Sequence, residues 1–198
     1  MNVSRRIAVF LRDRKLWGTR RVLLETTTNI IPRTLVIILD GNRRYAVHLG
    51  YGANELTIGH EYGHKAVKQL IRAAFEYGVE RVVVWAASKA NFDERKMEGM
   101  RNIMRIFGQE VRDQLKTPPK HGEEVQFHVV GDEWLKYCEE DPDLPRDVRL
   151  LEVQTATYDT KRKLIVLFGY SGRPDIMYAI KGMMNYGVAN GLTPEQVD

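Results

Sequence analysis

The chain has 198 residues, 43% hydrophobic and 28% charged, the balance of a folded globular domain and not of a disordered, collagen-like or disulfide-built chain. No apolar run reaches the ~20 residues of a membrane-crossing helix, and the single cysteine, Cys138, excludes an internal disulfide and fits a reducing, cytoplasmic compartment. The net charge of +4 is unevenly spread, because residues 1–33 set eight basic residues against Asp13 and Glu25.

That first segment interleaves its arginines with Val3, Ile7, Phe10, Leu11, Trp17, Val22 and Leu23. The pattern predicts a basic amphipathic helical arm. It either packs on the domain or touches an anionic surface as a peripheral membrane contact. Nucleic acid is not the expected partner, since no helix-turn-helix, zinc-finger or RNA-stacking signature accompanies the charge.

From residue 34 two periodicities alternate. Thr34–Leu39 is a continuous β-branched run, the mark of a strand buried on both faces. A helix is predicted over about Glu55–Tyr77, with Ala66, Val67, Leu70, Ile71, Ala74 and Phe75 on one face and Gly78 as its stop. Arg81–Ala87 reads as a second strand. Asp93–Leu115 reads as a helix with Met97, Met100, Met104, Phe107 and Val111 at spacings of three and four. Val125–Val130 is a third strand, followed by helical segments at Asp132–Glu139 and about Asp147–Ala156. Lys163–Phe168 is a fourth strand, and Pro174–Tyr186 a helix with proline at its first position and Gly187 at its close. Thr193-Pro194-Glu195-Gln196 has the signature of a further helix start. Repeated strand–helix alternation predicts one α/β domain over 34–198, a mostly parallel sheet covered by helices on both faces.

In such sheets ligands bind beyond the carboxyl ends of the strands. Four polar clusters fall there: Asp40-Gly41-Asn42-Arg43-Arg44, Ser88-Lys89-Ala90-Asn91-Phe92, Gly131-Asp132, and Gly169-Tyr170-Ser171-Gly172-Arg173. The first has the most chemistry. Asp40 can ligate a hard cation such as Mg²⁺, Gly41 admits a ligand close to the backbone, and Arg43 and Arg44 supply bidentate donors. The alternative is an Asx turn with solvated arginines. His60-Glu61-Tyr62-Gly63-His64 also matches HExxH, which would make two histidines zinc ligands and Glu61 a base in a hydrolase. The longer continuation of that motif is absent, and its third ligand is undefined.

These clusters resemble the cis-prenyltransferase family, which includes undecaprenyl diphosphate synthases. IILDGNRRYA resembles the DGNxRWA signature, with Tyr45 for Trp. Gly59-His60-x-x-Gly63 resembles GHxxG. Ser88-Lys89-Ala90-Asn91-Phe92 resembles SxENW, with Ala90 for Glu and Phe92 for Trp. Gly131-Asp132 and Gly169–Arg173 resemble GD and NYGGR. The resemblance implies a Mg²⁺-dependent transferase condensing an allylic prenyl diphosphate with isopentenyl diphosphate. It implies catalytic roles for Asp40 (also the metal ligand), Ser88 and Asn91. It implies diphosphate binding by Gly41, Asn42, Arg43, Arg44 and His60, and a homodimer or heteromer. The family's RxSGExRxS segment has no counterpart here, so the expectation is a chain lacking the C-terminal third. The alternatives implied are a prenyl-diphosphate-binding subunit that needs a partner, or a prenyltransferase using another acceptor.

Overall fold

The computed structural model describes residues 31–52, 58–94 and 97–191. The expected basic arm before Ile31 and the helix start at Thr193–Gln196 lie outside these residues.

Four strands form one sheet: β1 (Thr34–Ile38), β2 (Arg81–Ser88), β3 (Gln126–Val130) and β4 (Lys163–Tyr170). All pairings are parallel, in the spatial order β1-β2-β4-β3. Each strand is the apolar run the sequence shows, but β1, expected to be buried on both faces, is half-buried through Leu35 and Ile37 on one face and exposed on the other. Parallel pairing places the four carboxyl ends, and the polar clusters that follow them, on one rim.

The helices are α1 (Asn42–His48), α2 (Ile58–Glu76), α3 (Lys89–Glu94), α4 (Met97–Lys116), α5 (Leu144–Ala156) and α6 (Gly172–Asn190), with a 3₁₀ helix over Glu133–Glu140. The parallel sheet flanked by helices is the expected architecture. The ladder register sets Leu35, Val82, Leu164 and Phe127 in one row and Ile37, Val84, Val166 and Val129 in the next, on one face. Both hydrophobic cores of the described residues form on that face. Val67, Ala74 and Phe75 of α2 cover β1 and β2. Met100, Met104 and Val111 of α4 and Leu144, Val148 and Leu151 of α5 cover β3 and β4. On the opposite face, Val36 and Ile38 are 58% and 68% exposed among the described residues.

Several local readings need correction. α1 was not foreseen, because seven residues are too short for periodicity to register. The helix expected over Asp93–Leu115 corresponds to α4 (Met97–Lys116), and a separate short helix, α3 (Lys89–Glu94), precedes it. α5 starts at Leu144, ahead of Pro145, which tolerates the first turn because it needs no backbone donor there. In α6, Pro174 sits at the third position and not the first, and the helix runs past Gly187 to Gly191, whose φ of 62° ends it.

β3 is an edge strand, and α5 closes that edge. Thr155 Oγ1 accepts from Phe127 N–H at 3.0 Å, and Glu152 Oε1 accepts from Val129 N–H at 2.8 Å. Two outward-facing ladder donors are thereby satisfied without another strand. Thr155→Val keeps the buried shape but removes the acceptor. We expect it to cost about 1–3 kcal/mol, read as a lower urea midpoint at unchanged m-value. An unchanged midpoint would show that the Phe127 amide finds another partner.

α4 and α5 are tied by a charged network. Arg112 donates to Asp141 and, at 3.0 Å, to Asp147, which also accepts from Arg146 at 3.0 Å. Burial works to raise the Asp147 carboxyl, but hydrogen bonds from Arg146 and Arg112 outweigh it and hold the group below the ordinary range.

Candidate active site

β1 delivers Asp40 to the rim. Its carboxylate is 78% exposed, accepts the Gly41 N–H through Oδ1, and accepts Arg44 Nη2 through Oδ2 at 2.8 Å. The Gly41 amide, then the Arg44 guanidinium, hold this carboxyl below its ordinary range, so it is an anion at neutral pH. Gly41 has φ 87°, a left-handed turn that lets the chain leave the strand and enter α1 at once. Asp40 takes the Gly41 N–H, so that donor is engaged within the turn. Arg43 and Arg44 are both exposed beside it.

α2 supports this turn. Asn42 Nδ2 donates to His60 Nδ1 at 3.4 Å, which leaves Nε2 as the ring's N–H donor. Tyr45 meets Tyr62 edge-on, with centroids 5.6 Å apart. The histidine named from sequence as a diphosphate ligand is thus brought against Asn42.

At the end of β2, one strand spacing from β1 (about 4.8 Å), Ser88 and Asn91 cap each other. Asn91 N–H donates to Ser88 Oγ, and Ser88 N–H donates to Asn91 Oδ1, both at 3.2 Å. This reciprocal cap starts α3 and fixes both side chains at the rim. Phe92 faces the other way. It is 2% exposed and packs on Phe168 and Tyr137.

At the ends of β3 and β4 lies a cavity of about 220 Å³, bounded by Gly131, Asp132, Tyr170, Asp175 and Tyr178. Tyr178 OH donates to Asp132, and Tyr170 OH to Asp175, each at 2.9 Å. The hydrogen bond to Asp175 is the main reason the Tyr170 phenol is raised above its usual range. A Cβ at Gly131 would overlap the Phe168 carbonyl oxygen, so only glycine fits this exit from β3. Asp175 and Tyr178 do not stand out in the sequence: Tyr178 reaches Asp132 across 46 residues, and Asp175, only five residues from Tyr170, belongs to no recognisable motif.

The HExxH residues do not converge. His60 meets Asn42, Glu61 accepts from Arg105 Nη2 at 2.7 Å, and His64 Nε2 lies 3.1 Å from Glu110 Oε2. Among the described residues no group of three or more His, Cys, Asp or Glu is arranged to hold a metal ion. A magnesium ion on Asp40 would accordingly draw one carboxylate from these residues and complete its shell with water and ligand oxygens, the usual arrangement for Mg²⁺ on phosphates. Asp40, exposed and ionised, fits that use.

Glu110 joins α4 to α2. It accepts Lys68 Nζ at 2.8 Å, contacts His64, and accepts Gln114 Nε2 at 2.9 Å. Burial acts to raise its carboxyl, but the bonds from His64, Lys68 and Gln114 win and bring it from 4.5 down to about 2. A folded value below the unfolded one means that its contribution is complete above about pH 4.5 and is lost as the pH falls from there towards about 2. We expect Glu110→Gln to cost up to about 3 kcal/mol at pH 6 and much less at pH 3. Urea unfolding of both proteins at the two pH values measures this, and a pH-independent difference would contradict it.

Among the described residues no helix is long and apolar enough to cross a membrane.

Comparison with known proteins agrees with this layout. The family described as "Putative undecaprenyl diphosphate synthase" matches residues 38–197. The isoprenyl transferase of Thermus thermophilus is 31% identical, over 90% of this chain and 64% of the relative. Dehydrodolichyl diphosphate synthase 1 of Arabidopsis thaliana is 32% identical, over 85% of this chain and 52% of that protein. The chain therefore spans less than two thirds of the length of these relatives. Among solved structures, lavandulyl diphosphate synthase from Lavandula x intermedia, in complex with dimethylallyl diphosphate, superposes with a TM-score of 0.71 at 26% identity, covering 86% of this chain and 68% of the other. With its parallel sheet, its rim of four polar clusters and a family match running almost from the end of β1 to the C-terminus, the chain belongs to the family of undecaprenyl diphosphate synthases, the cis-prenyltransferases.

Proposed function

We propose that the protein is a prenyltransferase that binds an allylic prenyl diphosphate at the Asp40–Arg44 turn and condenses it in cis with isopentenyl diphosphate. The observation that carries this reading is the exposed Asp40 anion, set between Gly41 and Arg44 on the same rim as the Ser88–Asn91 cap of the neighbouring strand.

Arg43 and Arg44 bind the diphosphate oxygens with guanidinium donors. Asp40 would be the residue to hold Mg²⁺, and the ion would supply charge neutralisation for the leaving diphosphate. His60, through its Nε2–H, donates towards the phosphates while its Nδ1 steadies Asn42. In the reaction the bond between the allylic carbon and the diphosphate oxygen breaks, the terminal alkene carbon of isopentenyl diphosphate bonds to that allylic carbon, and a proton leaves. Ser88 and Asn91, at the end of the neighbouring strand, are the residues this proposal assigns to the second substrate. Their shared cap keeps Asn91 Nδ2 directed by its Oδ1 bond.

The likeness to lavandulyl diphosphate synthase, solved with dimethylallyl diphosphate, favours a second reading, in which the acceptor is a compound other than isopentenyl diphosphate. Cytoplasmic location, assembly with a second copy or a different subunit, and peripheral membrane contact by the basic arm before residue 34 belong to the same proposal.

The test is incorporation of radiolabelled isopentenyl diphosphate into allylic primers, with Mg²⁺ and with EDTA. Labelled prenyl product in Mg²⁺ alone is the expected result. Turnover that appears only with an added partner subunit would support the binding-subunit reading. Unlabelled product from dimethylallyl diphosphate alone would support the other acceptor. No product from any primer, with or without partner, would overturn the proposal.

A further inference from the structure

Resting on the reading above, we propose that Gly59 and Gly63 form a seat in α2 that positions the Asp40–Arg44 turn, so that these two glycines are positioning residues for the diphosphate site.

The two glycines stand one helical turn apart and face α1. A Cβ at Gly59 would overlap the carbonyl oxygen of Asn42, lie 2.7 Å from its carbonyl carbon and meet Ala46 Cβ at 3.3 Å. A Cβ at Gly63 would overlap Asn42 Oδ1 and lie 2.8 Å from its Cγ. Asn42 and Ala46, also one turn apart, therefore lie in a groove that only missing side chains provide. Ala46 is fully buried there. Asn42 is fastened in the same groove by His60, which lies between the glycines in sequence. Asn42 is the first residue of α1 and follows Asp40 and Gly41 directly. Any outward shift of Asn42 moves the Gly41 amide and the Arg44 side chain, the two groups that hold the Asp40 carboxylate. Neither glycine has a positive φ, so conformational freedom does not require them. Space for Asn42 does.

The two substitutions act differently. Gly63→Ala strikes the end of a side chain, which can rotate away and release His60. Gly59→Ala strikes backbone, so α1 itself must shift. Gly182→Ala in α6, where a Cβ meets nothing within 4 Å, is the control.

The experiment titrates inorganic pyrophosphate with Mg²⁺ into each protein by calorimetry, and records amide NMR signals of residues 41–44 without ligand. We expect Gly63→Ala to bind at least about tenfold more weakly, with shifted signals at 41–44, a melting temperature close to the parent's and no change in Gly182→Ala. Combined with Asn42→Ala, it should weaken binding no further than the worse single variant, because both act through one group. Parent-like binding by Gly63→Ala, or losses that add to those of Asn42→Ala, would overturn the seat. If Gly59→Ala does not fold, Gly63→Ala carries the test alone. If the parent itself binds no pyrophosphate, the diphosphate reading falls, and the unliganded signals at 41–44 still decide the seat: unmoved signals reject it.

Discussion

Asp40→Ala is expected to lower turnover by about a thousandfold or more while the melting temperature moves by no more than about 2 °C. The reasoning is one of exposure. The carboxylate is 78% exposed and its ion pair with Arg44, itself 79% exposed, is solvent-screened, so folding depends little on it. Its value in the proposed chemistry is different in kind. It is the one carboxylate of the turn, and it lies beside the two arginines that would hold the leaving diphosphate. Removing it takes away the metal ligand and leaves Arg44 without its anchor. Initial rates of isopentenyl incorporation and a thermal melt on the same preparation check both halves. Turnover within a few fold of the parent would remove Asp40 from the reaction. A large drop in melting temperature would assign it to folding.

Phe168→Ala should show the reverse. The ring is 1% exposed and lies among Phe107, Phe92 and Trp134, with centroids 4.4, 5.4 and 6.1 Å away. It stands on β4 in register with Ala87, just beneath the rim. Truncation leaves a cavity that four packed elements cannot close without moving, at a cost of about 3–5 kcal/mol. Phe168→Leu keeps most of the volume and should cost clearly less, about 1–2 kcal/mol. Urea unfolding measures both. A loss below about 1 kcal/mol for the alanine variant would mean that the core beneath the rim relaxes freely. Because Phe168 touches no ligand group, molecules that remain folded should bind pyrophosphate like the parent. The pair of variants therefore separates a site residue from the floor that carries it.

The candidate site was legible where chemistry and strand ends coincide. Asp40, Arg43 and Arg44 are charged residues placed directly after an apolar, β-branched strand, a pattern that local sequence displays. The role of Asn42 was less visible, because its partners Gly59, His60 and Gly63 lie on another helix. Asn91 differs, because its partner Ser88 is only three residues away: the side chain that suggests chemistry is also a local helix cap. The HExxH match pointed to three residues that share a helix, but their neighbours send them apart: His60 to α1, and Glu61 and His64 to α4. Helix spacing brings side chains near one another, and only packing decides what each one meets.

Four strands, the longer helices between them and the rim position of the polar clusters follow from apolar runs and 3.6-residue periodicity, which the seven residues of α1 are too few to display. The order β1-β2-β4-β3, the seating of α1 on α2 and the closing of the β3 edge by α5 were decided by the tertiary structure. They depend on which surfaces meet across tens of residues, and a local pattern records that a residue is buried without recording against what.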